Sequence, residues 1–139
     1  EWPGIAPKVL IGFNQMLAGD FRQTIERFLA IQAMGSEHAR DDIRQLRHWL
    51  AERPSPQFAA LEAGLTLLAD IDLREPLREL DLPWLRIYGR LDSLVPKVAI
   101  PLLDDLYPAS RSVTLNKASH APFISHPDEF IEIVRDFVG

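Results

Sequence analysis

The chain has 139 residues, 47% hydrophobic and 25% charged, the balance of one globular unit rather than a disordered segment. Its lack of cysteine excludes a disulfide framework, a thiolate metal site and a cysteine nucleophile, and fits a reducing compartment, so the cytoplasm is the expected location. A net charge of -5 argues against nucleic acid as a partner, and the longest apolar runs fall far short of the roughly 20 residues that span a bilayer, so no membrane partner is expected either. The charge is uneven: residues 1–69 nearly balance, whereas most of the excess acid lies in 70–139, which leaves the first half room for a basic face. The chain opens on Glu1, with neither a Met nor a charged-then-apolar leader, and is expected to be a piece of a longer protein.

In chain order, Pro7 opens a helix with Val9, Leu10, Phe13, Met16 and Leu17 on one face, and Gly19 closes it. Asp20 and Gln23 have the spacing of a capping box for the next helix, which carries Phe21, Ile25, Phe28, Leu29 and Gln32. Gly35 and Ser36 punctuate the chain, and Ser36 is placed to cap a helix with the stripe Ala39, Ile43, Leu46 and Leu50. Pro54 stops that helix. Ser55 and Pro56 then read as the cap and first turn of a fourth, whose buried side is expected to be Phe58, Leu61, Leu65 and Leu68.

After residue 70 the periodicity changes. The run from Leu82 to Gly89 is short, apolar and bounded by proline and glycine, as expected for a strand buried on both faces of a parallel sheet. Ser112 to Leu115 reads as a second strand and Pro101 to Tyr107 as a helix between them, so the strands should be parallel with a right-handed crossover. A last helix, Pro127 to Val138, presents Phe130, Ile133, Val134 and Phe137 and should cover the sheet, with Asp128 and Glu129 in the first turn where the helix dipole favours them. The fold class is therefore α/β, with four helices ahead of a strand, helix, strand, helix unit.

Two residues stand where such a sheet puts its chemistry. Asp92 follows the first strand by a few residues and His120 follows the second, both at the carboxyl edge where open parallel sheets bind ligands. A carboxylate that fixes the tautomer of an imidazole, and an imidazole that deprotonates a hydroxyl, are two thirds of a serine-hydrolase triad. The third is missing, because no G-x-S-x-G occurs and Ser36, Ser93, Ser119 and Ser125 lack the sharp strand-to-helix turn that exposes a nucleophile. His38, His48 and His126 do not have zinc-site spacing.

The runs Gly89 to Pro96 and Ser119 to Pro127, with the helical insert before them, resemble the α/β-hydrolases, whose triads run Ser, Asp, His in chain order. The opening Glu1 to Ile5, the run Thr24 to Ala30 and Met34-Gly35 resemble the lid of the BioH-type carboxylesterases of biotin synthesis, so the resemblance covers nearly the whole chain. It implies residues 1–74 as a helical lid and 75–139 as the C-terminal part of the hydrolase core, carrying the triad Asp92 and His120. It also implies hydrolysis of the methyl ester of pimeloyl-acyl carrier protein, no metal and no organic cofactor, and a monomer once the N-terminal half with its serine is present.

Carried over by residue, the resemblance places the substrate channel at Phe28, Leu29, Ala30, Ile31 and Gln32, and carrier-protein contacts at Arg27, Arg40 and Arg44. Where the family has a further arginine this chain has Gln23, with Arg22 beside it, and adjacent helix residues point about 100° apart. Read from the residues alone, Arg40, Arg44 and Arg47 form one helix row that suits a phosphopantetheine phosphate or an acidic helix. It equally suits a solvated face balanced by Glu37, Asp41 and Asp42. The Phe28 stripe likewise fits a core as well as a channel. The competing functions are a noncatalytic helical module that binds an acidic partner, and another lidded hydrolase: a general esterase, a dehalogenase or an epoxide hydrolase.

Overall fold

The computed structural model describes residues 2–139; Glu1, the first residue of the opening run that carries the resemblance, lies outside them. Four helices come first: α1 (Pro7–Gly19), α2 (Phe21–Ala33), α3 (Ala39–Ala51) and α4 (Phe58–Asp70). Pro7 starts α1, where its missing amide costs nothing. Asp20, in an extended conformation, both ends α1 and caps α2: its carboxylate accepts from the Gln23 amide at 2.9 Å. Thr24 adds a second tie by donating its hydroxyl to the Asp20 carbonyl at 2.7 Å. The sharp turn folds α2 back on α1, with Phe13 and Phe28 edge to face at 5.7 Å and Leu17, Leu29 and Ala33 buried.

Two expected caps do not form. Helix α3 begins at Ala39, and Ser36 instead donates to the buried Asp42 at 2.7 Å while accepting weakly from the His38 amide. Helix α4 begins only at Phe58, because the residues before Pro54 and Pro56 are sterically driven out of the helical region. The expected buried side of α4 is also only half covered. Leu61 and Leu65 are half-buried, but Phe58 and Leu68 are 43% and 55% exposed, and α4 has no fully buried residue. Between α1, α2 and α4 lies an apolar cavity of about 490 Å³ that Phe13, Phe28, Leu61 and Leu68 help to line.

A short 3-10 turn, Pro76–Glu79, leads to β1 (Leu85–Gly89), α5 (Ala99–Leu106), β2 (Arg111–Leu115), a one-turn helix α6 (Pro122–Ser125) and α7 (Pro127–Val138). The strands pair in parallel, from Leu85 with Arg111 to Gly89 with Leu115, and α5 is the crossover. Strand β1 starts three residues later than its apolar run, since Pro83 offers no amide to a ladder. It is not covered on both faces: Ile87 and Tyr88 are only half-buried, because β1 and β2 have only each other as partners among the described residues. The most buried side chain in β1 is Arg86, which donates to Asp104 at 2.7 Å, Ser110 at 2.9 Å and the Tyr88 hydroxyl at 3.0 Å. Burial of Arg86 disfavours its charge, but the bonds to Asp104 and Tyr88 more than restore it and hold the guanidinium protonated. Tyr107 packs against Trp84 at 4.8 Å and donates to the Arg74 carbonyl at 3.1 Å, which ties the segment after α4 to the crossover helix. Helix α7 keeps its apolar stripe half-buried and is pinned to the start of β2 by Asp136 and Arg111 at 2.7 Å. Among the described residues no helix is long and apolar enough to cross a membrane.

Candidate active site

Because Gly89 and Leu115 end their strands as register partners, the loops that follow leave the sheet side by side. They are laced together at once: the Arg90 amide donates to the Leu115 carbonyl at 3.0 Å, the Leu91 amide to the Ala118 carbonyl at 3.0 Å, and the Arg90 Nε to the Asn116 carbonyl at 2.9 Å. Gly89 makes this approach possible. A Cβ there would lie 1.9 Å from the Ser119 carbonyl oxygen and 2.6 Å from that of Ala118, so no side chain fits.

The lacing delivers His120 to Asp92, with Nδ1 2.9 Å from Oδ2. The other carboxylate oxygen, Oδ1, accepts from the amides of Leu94 at 2.8 Å and Val95 at 3.0 Å, so the Asp92 side chain is locked by its own turn. That side chain is 5% exposed and the imidazole 33%, which leaves the ring open on one side. Burial works against the Asp92 charge, but the bonds from His120, Val95 and Leu94 together outweigh it and hold the carboxyl below the ordinary range. An ionised carboxylate only accepts, so Nδ1 carries a proton, and in the neutral ring Nε2 presents its lone pair. This pair can take a proton from a hydroxyl brought to Nε2 and stabilise the imidazolium that results.

Ser119, Ser36 and Ser125 are otherwise engaged. Ser119 is 2% exposed and donates to the Met34 carbonyl at 2.7 Å, Ser36 is on Asp42, and Ser125 lies 2.8 Å from Nδ1 of its neighbour His126, a ring that no carboxylate supports among the described residues. Ser93 is exposed in the turn after Asp92.

The five residues expected to line a channel do not share one surface, since consecutive helix positions turn through about 100° each. Phe28 faces the 490 Å³ cavity, Ala30 and Ile31 face a groove against Lys8, Val9 and Met16 of α1, Leu29 is buried toward α3, and Gln32 is half-buried. The arginines are all exposed. Arg27 lies over the Met16 sulfur at 3.3 Å, Arg44 pairs with Asp41 on its own helix, and Arg40 extends from the same α3 row. Arg22 lines a groove between α2 and α3 with Arg47 and Arg53, and Arg47 pairs there with Glu26. Sequence reasoning missed Gly89 and Ser119 as determinants of the site. A glycine closing a strand was the available signal for the first; the second rests on a contact between residues 85 positions apart.

The parallel pair with its crossover, and an Asp and a His meeting across the two strand ends, define the class. The chain has the fold of the C-terminal part of the α/β-hydrolases. An esterase structure from Exiguobacterium antarcticum superposes on 98% of the chain with a TM-score of 0.82 at 18% identity, covering 49% of that protein. In sequence the chain is similar to proteins named pimeloyl-[acyl-carrier protein] methyl ester esterase. It is 84% identical over all 139 residues to the one from Aeromonas salmonicida and 54% identical over 132 residues to the one from Klebsiella pneumoniae strain MGH 78578, covering 55% and 51% of them. The chain thus spans about half the length of the curated relatives it matches. No protein-family model matches it.

Proposed function

We propose that this chain is the lid, residues 1–74, and the C-terminal core, residues 75–139, of a serine carboxylesterase that hydrolyses the methyl ester of pimeloyl-acyl carrier protein. The observation that carries the reading is the 2.9 Å contact of His120 Nδ1 with an Asp92 carboxylate whose remaining oxygen is saturated by two amides. The names of the relatives supply the substrate, and their length leaves room for the serine and oxyanion hole in a half that this chain does not contain.

In the reaction, His120 Nε2 takes the proton of that serine as its oxygen adds to the ester carbonyl, and Asp92 stabilises the imidazolium. His120 returns the proton to the departing methoxide, so methanol leaves and the acyl group stays on the serine. Water then adds, again deprotonated by His120, which hands that proton to the serine oxygen as the acyl bond breaks, so the serine is restored and the carrier-bound pimeloyl group departs with a free carboxylate. This chemistry calls for no metal or organic cofactor. Arg22, Arg27, Arg40 and Arg44 meet the acidic carrier protein, and of the five channel positions Phe28, which faces the apolar cavity, guides the acyl chain. The complete enzyme is a cytoplasmic monomer.

The test joins this chain to the N-terminal half of the Aeromonas salmonicida relative and measures methanol released from the carrier-linked methyl ester. Release is expected from the rebuilt enzyme and not from its His120→Ala variant; equal rates in both would sink the catalytic reading. Reversing charge at Arg40 and Arg44 should lower kcat/KM for the carrier-linked ester at least tenfold while sparing p-nitrophenyl acetate, and an unchanged carrier-linked rate would sink the docking role.

A further inference from the structure

The segment joining α2 to α3 touches both site loops at three points. Ser119, whose side chain is among the most buried in the protein, donates its hydroxyl to the carbonyl of Met34, the residue that caps α2, at 2.7 Å. Gly35 takes a left-handed φ of 92°, and a Cβ there would sit 3.2 Å from the Leu91 carbonyl oxygen and 3.3 Å from the Leu91 Cβ. Glu37 reaches Lys117 at 3.5 Å. Leu91 precedes Asp92, and Ser119 precedes His120.

We propose that this connector is a clasp that positions the Asp92–His120 pair, with Ser119 as its principal positioning residue. The inference rests on the catalytic reading given above. The His120 loop is fixed on one side by Gly89 and by the Leu91 amide on the Ala118 carbonyl. Both of those contacts come from the Asp92 loop itself, so they set the loops against each other and not against the lid. The Ser119 hydroxyl supplies the other side. It anchors the backbone one residue before His120 to the carboxyl end of the helix that carries Phe28, so the seating of α2 sets where the imidazole stands. Loss of the bond frees the loop from α2, and displacements of about 1 Å at a reacting group lower turnover by up to about a hundredfold. Gly35 serves the same contact from the lid side, because only a residue at ease with positive φ can bring the connector this close to Leu91.

The rebuilt enzyme described above is assayed on p-nitrophenyl acetate as wild type, Ser119→Ala, Gly35→Ala and His120→Ala, with active sites titrated and the low-field proton resonance of His120 Nδ1–H recorded. For Ser119→Ala the clasp predicts a fall in kcat of about tenfold, KM within about twofold of wild type, and a broadened or lost Nδ1 proton signal. Gly35→Ala should move the same three readouts in the same direction, and it decides the matter if Ser119→Ala does not fold. Unchanged kcat and resonance in either folded variant, or a loss that disappears once active sites are counted, overturns the clasp. Activity surviving in His120→Ala overturns the catalytic reading instead, so the two failures are distinguishable.

Discussion

The four helices and the strand-crossover-strand unit are held together by different physics. Helices α1 to α4 meet mainly through apolar side chains, and α4 lies on α1 without a single fully buried residue of its own. The strand unit is smaller but laced by directional bonds: three donated by Arg86, three accepted by the Asp92 carboxylate, and three more between the two loops. Dispersion and hydrophobic contacts tolerate sliding, whereas a hydrogen bond stretched by half an ångström is largely lost. The pair proposed as catalytic sits in the part that cannot slide, and the surfaces proposed for substrate and carrier sit in the part that can.

The sharpest way to break this contrast is Gly89→Ala. With backbone oxygens at 1.9 Å and 2.6 Å from the new Cβ, one loop must leave the other, and the rebuilt enzyme should fail to fold or lose more than about 4 kcal/mol in urea unfolding. Arg86→Ala comes next: it removes a buried guanidinium with its three bonds and should cost about 2 to 3 kcal/mol, with Arg86→Met recovering much of the loss. A smaller effect is expected from pH. Asp92 is more acidic in the folded state than in the unfolded chain, so its contribution is complete above the unfolded carboxyl value of about 3.9 and is lost as pH falls through the lower folded value. The stability advantage of wild type over Asp92→Asn should therefore be flat from neutral pH to about 5 and shrink below about 4. Leu68→Ala should matter least, under about 0.5 kcal/mol for a side chain 55% exposed. A loss above about 2 kcal/mol in the rebuilt enzyme would show that its other half covers α4, and would sharpen the contrast by making the helices part of a larger core.

What was legible in the sequence follows the same division. Period and punctuation disclose the elements: Pro7, Gly19 and Asp20 bound α1 and open α2, and two apolar runs separated by a helical stripe give the parallel pair. The topology then forces Asp92 and His120 to one edge, which is why their contact could be anticipated without coordinates. Local rules failed where a longer-range partner competed. Ser36 has the spacing of a cap yet bonds Asp42, and Ser55 lies between two prolines that keep the chain extended. Arg86 reads as a charge spoiling an apolar strand, and only the fold brings Asp104 and Ser110 to it. Ser119 gives no local sign that it will reach Met34, and five consecutive helix residues matched to one channel turn out to point in several directions.

The central claim is that Asp92 and His120 act as one unit, and a double-mutant cycle in the rebuilt enzyme tests it most directly. On the account given, His120→Ala lowers kcat at least about a thousandfold, Asp92→Ala less, and the double variant no further than His120→Ala alone, because a carboxylate without its imidazole has nothing left to orient. Losses that add across the two substitutions would contradict it.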